Sequence, residues 1–275
     1  MANVIMARVN MEAITSLDNL KIKHVKKLLA DKKYRSVASE YVAEGVRWIK
    51  DALDFDAAVF SGIFVAESKI EVFKSIIDLA FLRGVAVFTV QDSVFVKMSD
   101  TEHSQGLLAV LKIPFVQKSD GEFCSMGARV LYVDGVRDPG NLGTMIRTAI
   151  AFDFCDIILA NCVDVYSPKV VRASMSAVLK AHLHMIQDNF YEDRCLSALK
   201  NSGYHFFVTD LGGQNVLTSP KNFDKLALVI GSEATGVSDK LKMQADTTLT
   251  IPLQNQIESL NAATAAGILM YELTK

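Results

Sequence analysis

The stretch VDGVRDPGNLGTMIRTAIAF, residues 133–152, leads from an apolar run that begins at Arg129 into a loop with Gly135, Pro139, Gly140 and Gly143. Leu142, Met145, Ile146, Ala149 and Ile150 then recur at helical spacing. A strand, a glycine-bearing turn and a helix in succession form the repeating unit of α/β folds, whose ligands sit outside the carboxyl ends of the strands. The turn and helix also carry Arg137, Asn141 and Arg147. Gly143 and Thr144 precede Arg147 by four and three residues, on its own side of the helix. The arginine is therefore expected to project across a small residue into open space, where its planar donors suit phosphate or carboxylate.

The alternation continues in both directions. Strands are expected at 129–134, 156–160, 204–209, 226–230 and 247–251, and helices at 141–153, 168–180, 190–201 and 259–273. Short apolar strands bounded by glycine predict a parallel sheet covered on both faces. The polar stretch QKSDGEFCSMG, residues 117–127, reads as a linker between domains at 1–116 and 128–275. The N-terminal domain reads as a small α/β/α layer. Its helices are expected at about 18–31, from about Glu44, at 68–83 and at 92–98, and its strands at 58–66, 85–90 and 106–113.

Composition narrows the function classes. Of the 275 residues 50% are hydrophobic and 22% charged, which is ordinary for a globular protein with ample core. No apolar run reaches the roughly 18–20 residues that span a bilayer. The N-terminus lacks a continuous apolar segment with a cleavage site, so a cytoplasmic location is expected. Cys124, Cys155, Cys162 and Cys195 form no Cys-x-x-Cys pair and no metal-ligating cluster with histidine, so buried reduced thiols and no metal are expected. The net charge is −2, yet Lys21–Arg35 holds seven Lys/Arg and one acid. Lys21, Lys23, Lys26, Lys27, Lys32, Lys33 and Arg35 form either an RNA-binding patch or the solvated face of a helix whose apolar stripe is Ile22, Val25, Leu28 and Leu29.

Two further strand ends carry unusual polar sequence. In LALVIGSEATGVSD, Glu233 follows a strand and lies between Gly231 and Gly236. In LTIPLQNQIESLNAATAAGILMYEL, Ser259 and Asn261 open a helix. Asn141 and Ser259 also suit simple helix caps, and Glu233 a surface acid. Neither Gly-x-Gly-x-x-Gly nor a Gly-x-x-x-x-Gly-Lys-Ser/Thr loop occurs, so a conventional dinucleotide or triphosphate site has little support.

Together the three stretches resemble the SpoU (TrmH) family of RNA 2′-O-methyltransferases, within the SPOUT superfamily. The family's Asp-Pro-x-Asn-x-Gly-x-x-x-Arg-Thr is met by DPGNLGTMIRT, Asp138–Thr148. Its Gly-Ser-Glu-x-x-Gly is met by GSEATG, Gly231–Gly236. Its Ile-Pro-Met-x-Gly-x-x-x-Ser-Leu-Asn is met by IPLQNQIESLN, Ile251–Asn261, with Leu253 for methionine and Asn255 for glycine. The cues SLDNLKIKHVKKL, YVAEGVRWIKDAL and SQGLLAV are similar to the family's N-terminal substrate-binding domain, a fold like that of small ribosomal RNA-binding proteins.

The resemblance implies a trefoil-knotted C-terminal domain, a homodimer with its active site near the subunit interface, and S-adenosylmethionine as cofactor. It implies cofactor contacts from Leu211, Gly212, Ile230, Gly231, Ile251, Leu253 and Leu260. It makes Arg147 the catalytic residue, with Asn141 holding Arg147 or the ribose, and Glu233, Ser259 and Asn261 shaping the site. A reference arginine pKa of about 12.5–13.8 favours stabilisation of a developing alkoxide over removal of a proton as base. The expected substrate is ribosomal RNA, contacted through the basic segment and Arg137. Transfer RNA, a non-catalytic RNA-binding protein on the same fold, and a nucleotide-dependent enzyme are the alternatives.

Overall fold

Residues 130–133, 157–160 and 226–230 are Val, Ile, Leu and Ala with one tyrosine, and such runs hold together only when both faces are covered. A computed structural model describes residues 11–114, 126–186, 188–255 and 258–275. These fall into two compact units, the first ending at Pro114.

In the second unit the order is β6 (Arg129–Asp134), α6 (Pro139–Ala151), β7 (Asp156–Ala160), α7 (Pro168–Ser174), β8 (His182–Ile186), α8 (Asn189–Asn201), β9 (His205–Asn215), β10 (Leu226–Ile230), α9 (Asp239–Lys242), β11 (Thr247–Thr250) and α10 (Ala262–Leu273). The strands form one sheet in the order β11-β9-β10-β6-β7-β8, every neighbouring pair parallel. β6 has β7 on one side and β10 on the other, so the chain leaves it in two directions. The crevice at such a reversal is where open parallel sheets place ligands.

Strand β8 was not expected from the sequence, because His182 and His184 interrupt its apolar residues at an edge of the sheet. Strand β9 continues past 209 to Asn215, and its pairing with β11 shifts register between Thr248 and Leu249. The helix expected at 168–180 is α7 followed by a separate 3-10 turn, Met175–Leu179.

The core is tied by a few satisfied polar groups. Tyr132, fully buried in β6, donates its hydroxyl to Glu192 Oε1 at 2.7 Å, and Lys240 holds Glu192 Oε2 at 2.7 Å. Burial, reinforced by Glu192, pushes the Tyr132 phenol far above its usual pKa, so it stays a donor. On the neighbouring strand β7, Asp156 accepts the Gly127 N–H at 2.8 Å and bonds His184 Nε2 at 3.0 Å. The 117–127 linker lies largely outside the described residues; Met126 and Gly127, at its end, are fixed by the Tyr204 hydroxyl to this unit's core.

Burial by itself raises the Asp156 pKa, but the bonds from His184 and Gly127 outweigh it and hold the carboxyl below its usual 3.8. A carboxyl depressed on folding stabilises the protein above its unfolded pKa and loses that stabilisation as pH falls through the folded one. Asp156→Asn is therefore expected to flatten the fall in stability below about pH 4, read by urea unfolding across pH. An unchanged slope would remove this contact from the acid response.

The first unit contains β1 (Glu12–Ile14), α1 (Leu20–Ala30), α2 (Lys32–Ala38), β2 (Glu40–Glu44), α3 (Val46–Phe55), β3 (Phe60–Ala66), α4 (Lys74–Leu82), β4 (Val87–Val90), α5 (Asp92–Met98) and β5 (Leu107–Lys112). Its sheet runs β1-β4-β3-β5-β2, parallel across the first three strands and antiparallel at β5 and β2. Residues 40–44, adjoining the expected helix, form β2; Gly45, at φ +119, separates it from α3. Among the described residues no helix is long and apolar enough to cross a membrane.

Candidate active site at the carboxyl ends of the strands

The first turn of α6 decides what Asn141 can do. Asp138 caps the helix by accepting the Asn141 N–H at 2.7 Å, and Pro139 occupies the first helical position, where its missing N–H costs nothing. The helix thus starts two residues before the expected 141, and Asn141 is released from capping. Its Nδ2 donates to Glu233 Oε1, while its Oδ1 accepts from Asn261 Nδ2 at 2.9 Å. Asn261, not Ser259, caps α10 by accepting the N–H groups of Ala263 and Thr264 at 3.0 and 3.2 Å. Ser259 is exposed two residues earlier. One amide therefore joins the loops after β6, β10 and β11, because an amide donates at one atom and accepts at the other.

Arg147 is exposed nearly two turns further along α6 and bonds to no described residue. The expectation about Gly143 is corrected. A Cβ there would lie 2.5 Å from Ala173 Cβ and 2.8 Å from both Ser174 N and Val170 O. Gly143 serves the close approach of α7 to α6; the residue on the exposed side of Arg147 is Thr144.

The loops implied to hold the cofactor are built on backbone contact. A Cβ on Gly231 would lie 2.1 Å from Gly236 C and 2.3 Å from Val237 N. A Cβ on Gly213 would lie 2.6 Å from Leu249 C, whereas Gly212 has nothing within 4 Å. Gly213, which the sequence reading passed over, is thus the glycine that packing requires; its neighbour in a Gly-Gly pair was the only available signal. Leu211 is 73% exposed and Ile230 is buried, so Ile230 offers its backbone to a ligand. Ile251, Leu253 and Leu260 are half-buried. Asn255 stands at φ +59, a left-handed conformation that asparagine tolerates best after glycine, which accounts for its replacing the family's glycine.

Behind these loops the Ser238 N–H donates to Asp134 at 2.9 Å, and Lys242 pairs with Asp210 at 2.8 Å. Sequence reading missed both anchors, which have no local pattern. Among the described residues no group of His, Cys, Asp and Glu forms a metal site. Cys155, Cys162 and Cys195 form no disulfide among the described residues, and Cys124 lies outside them. Burial pushes the Cys162 thiol up to about 11, so it is no nucleophile.

In the first unit the basic segment forms α1 and α2, and Ile22, Val25 and Leu28 are buried as their spacing predicts. Arg35 is a correction: it is 5% exposed, with Nη1 donating to the carbonyls of Leu28 and Leu29. These belong to the last turn of α1, whose carbonyls have no partner within the helix, so Arg35 closes the helix and does not face RNA. Lys21 pairs with Glu12 at 3.0 Å and Lys23 with Asp18 at 2.8 Å. Lys26, Lys27, Lys32 and Lys33 are exposed, with Lys27 also over the Tyr34 ring at 5.3 Å.

Asn141→Ala removes both bonds that join the three loops. It is expected to lower kcat/KM by about ten- to hundredfold, the usual cost of unpairing a site's polar groups, with little change in Tm. A variant of full activity would make the link ornamental.

A parallel α/β sheet with three joined loops at its carboxyl ends defines an α/β protein with its ligand site at the strand ends, and comparison with known proteins sharpens this. Residues 128–271 match the SpoU rRNA Methylase family and residues 19–109 the MRM3-like substrate binding domain. The chain is 31% identical to the 23S rRNA (guanosine(2553)-2′-O)-methyltransferase RlmP of Bacillus subtilis, over 96% of this chain and 99% of that one. It is 26% identical to the 23S rRNA (adenosine(1067)-2′-O)-methyltransferase of Streptomyces azureus, over 72% of each. The crystal structure of AdoMet-bound rRNA methyltransferase from Sinorhizobium meliloti superposes with a TM-score of 0.81 and 26% identity, covering 96% of this chain and 97% of that one. The chain belongs to the SpoU rRNA methylase family.

Proposed function

We propose that the protein transfers a methyl group from S-adenosylmethionine to a ribose 2′-hydroxyl of ribosomal RNA. The observation that carries this is the Glu233–Asn141–Asn261 link, which sets three strand-end loops in one site on the helix that bears Arg147. The names of the Bacillus and Streptomyces relatives support the reaction and the RNA class. The AdoMet-bound relative supports the cofactor, and the open space beside Gly212 leaves room for it at the strand ends.

When bound, S-adenosylmethionine supplies a methyl already activated by its sulfonium charge. The protein's task is then to align the hydroxyl and stabilise the negative charge that develops on its oxygen. Arg147 does the second. Asn141 fixes the loops around the ribose, with Glu233 and Asn261 held by it and Ser259 two residues before Asn261. Backbone at Leu211, Gly212, Ile230, Gly231, Ile251, Leu253 and Leu260 holds the cofactor. The same reading carries the trefoil knot, on the family match alone. It also carries the homodimer, for which exposed Ile268 and Tyr271 on α10 offer an apolar face.

Labelled methyl transfer to unmodified total RNA, separated by size, tests the substrate. Label in large RNA is expected; label only in small RNA would move the substrate to transfer RNA. No label despite cofactor binding would favour the non-catalytic alternative.

RNA affinity is further assigned to Lys26, Lys27, Lys32 and Lys33, with Lys21 and Lys23 partly neutralised by their acids. Each phosphate contact contributes about 0.7–0.9 to the slope of log affinity against log salt. Replacing the four lysines by glutamine is expected to reduce that slope by up to about three in filter binding. An unchanged slope would leave the segment a solvated helix face.

A further inference from the structure

The turn that carries Glu233 has a second side. It is closed by the Gly236 N–H on Ser232 O at 2.9 Å, and the chain from Thr235 to Asp239 then walls a cleft of about 420 Å3. Opposite walls come from Asp134, the last residue of β6, Arg137 in the loop after it, and Asn161, after β7. The cleft thus lies where β7 and β10 depart from β6 in opposite directions, and its volume is in the range of small-ligand sites. Nothing in the transfer chemistry above uses it.

Its groups select a class of occupant. Two carboxylates, Asp134 and Asp239, face one guanidinium, Arg137, so the cleft is a poor phosphate site. Arg137 is exposed and bonds to no described residue. Asp134 is 8% exposed; its Oδ2 holds the Ser238 N–H at 2.9 Å, which leaves Oδ1 as an acceptor. Asn161, at φ +52, is exposed and offers both a donor and an acceptor. Gly236, at φ +67, has nothing within 4 Å of where a Cβ would stand, so one wall stays open to a flat group. An uncharged planar ring with N–H and carbonyl edges satisfies all of these. RNA presents such rings when loop bases leave the stack, and proteins read them by their edges.

We propose that this cleft takes an unstacked base of the substrate RNA next to the ribose that is methylated, a reading that rests on the RNA methyltransferase function above. The two sites adjoin along the chain: Arg137 is four residues before Asn141, and Thr235 two after Glu233. Asp134 and Arg137 read the base edge, while Asn141 and Glu233 stand on the ribose side.

The test uses the full-length protein with unmodified ribosomal RNA and labelled S-adenosylmethionine. Arg137→Ala, and Asp239→Trp, which crowds the cleft, are expected to raise KM for RNA about tenfold with cofactor Kd unchanged. Ribosomal RNA transcribed with thiouridine and irradiated on the wild-type protein is expected to cross-link within residues 134–137 or 235–239. Variants that match wild type in KM for RNA, or cross-links confined elsewhere, would overturn the cleft assignment. Loss of cofactor affinity in both variants would overturn it too, because the cleft would then belong to the cofactor site. A wild-type protein that methylates no RNA would defeat the function reading instead, which keeps the two failures apart.

Discussion

Arg147→Ala is expected to lower kcat by at least a hundred- to thousandfold, the cost of removing one donor aimed at a developing oxyanion, while S-adenosylmethionine Kd changes less than about twofold. The structure explains why the effect should be confined to chemistry. Arg147 is exposed, and no described residue depends on it for a hydrogen bond or ion pair. Its loss leaves no buried group unpaired, and the fold of α6 rests instead on Leu142, Met145, Ile146 and Ala149. Isothermal titration with the cofactor and circular dichroism would establish that the variant is folded and loaded before turnover is measured. Arg147→Lys should restore only part of the rate, because an ammonium keeps the charge but not the planar fork. Turnover near the wild-type level in Arg147→Ala would remove the residue from the mechanism.

Gly231→Ala should produce the other large effect, through structure. The added methyl would lie 2.1 Å from Gly236 C, 2.3 Å from Gly236 O and 2.3 Å from Val237 N. All three are backbone atoms of a turn closed by its own Gly236–Ser232 hydrogen bond and anchored through Ser238 to Asp134, so none can rotate aside. The turn must open, and Glu233 leaves Asn141. Overpacking of this kind costs about 1–3 kcal/mol or more, which for a unit of this size lowers Tm by about 4–10 °C. Cofactor affinity should fall more than about tenfold, since the same turn forms part of the cradle. Gly212→Ala is the matched control: the space beside Gly212 is empty, so its Tm should not move. Equal behaviour of the two variants would mean that close backbone approach is not what shapes the cofactor loops.

The sequence made the central sheet legible because β6, β7 and β10 are buried on both faces and carry apolar runs at 130–133, 157–160 and 226–230. It hid the elements whose residues answer to something else. Strand β8 has histidines at 182 and 184, both paired with Asp156, and the end of β9 runs through DLGGQN, whose Gly213 permits the close approach to β11. The polar residues of the site were legible as types at strand ends. Their connection was not, because Asn141 meets Glu233 across 92 residues and Asn261 across 120, distances at which sequence has no period. Two residues were legible but misleading. Gly143 looks like clearance for Arg147 until α7 is seen to fill that space, and Arg35 looks like the last of the basic row until it is seen to close α1.

The central claim is that methyl reaches a ribose oxygen, and the chemistry of the labelled product tests it most directly. Large RNA labelled by the wild-type protein would be hydrolysed in alkali and its fragments separated by charge. A 2′-O-methyl group blocks attack on the adjoining phosphodiester, so the label is predicted in an alkali-stable dinucleotide. Label recovered wholly in mononucleotides would place the methyl on a base and contradict the account.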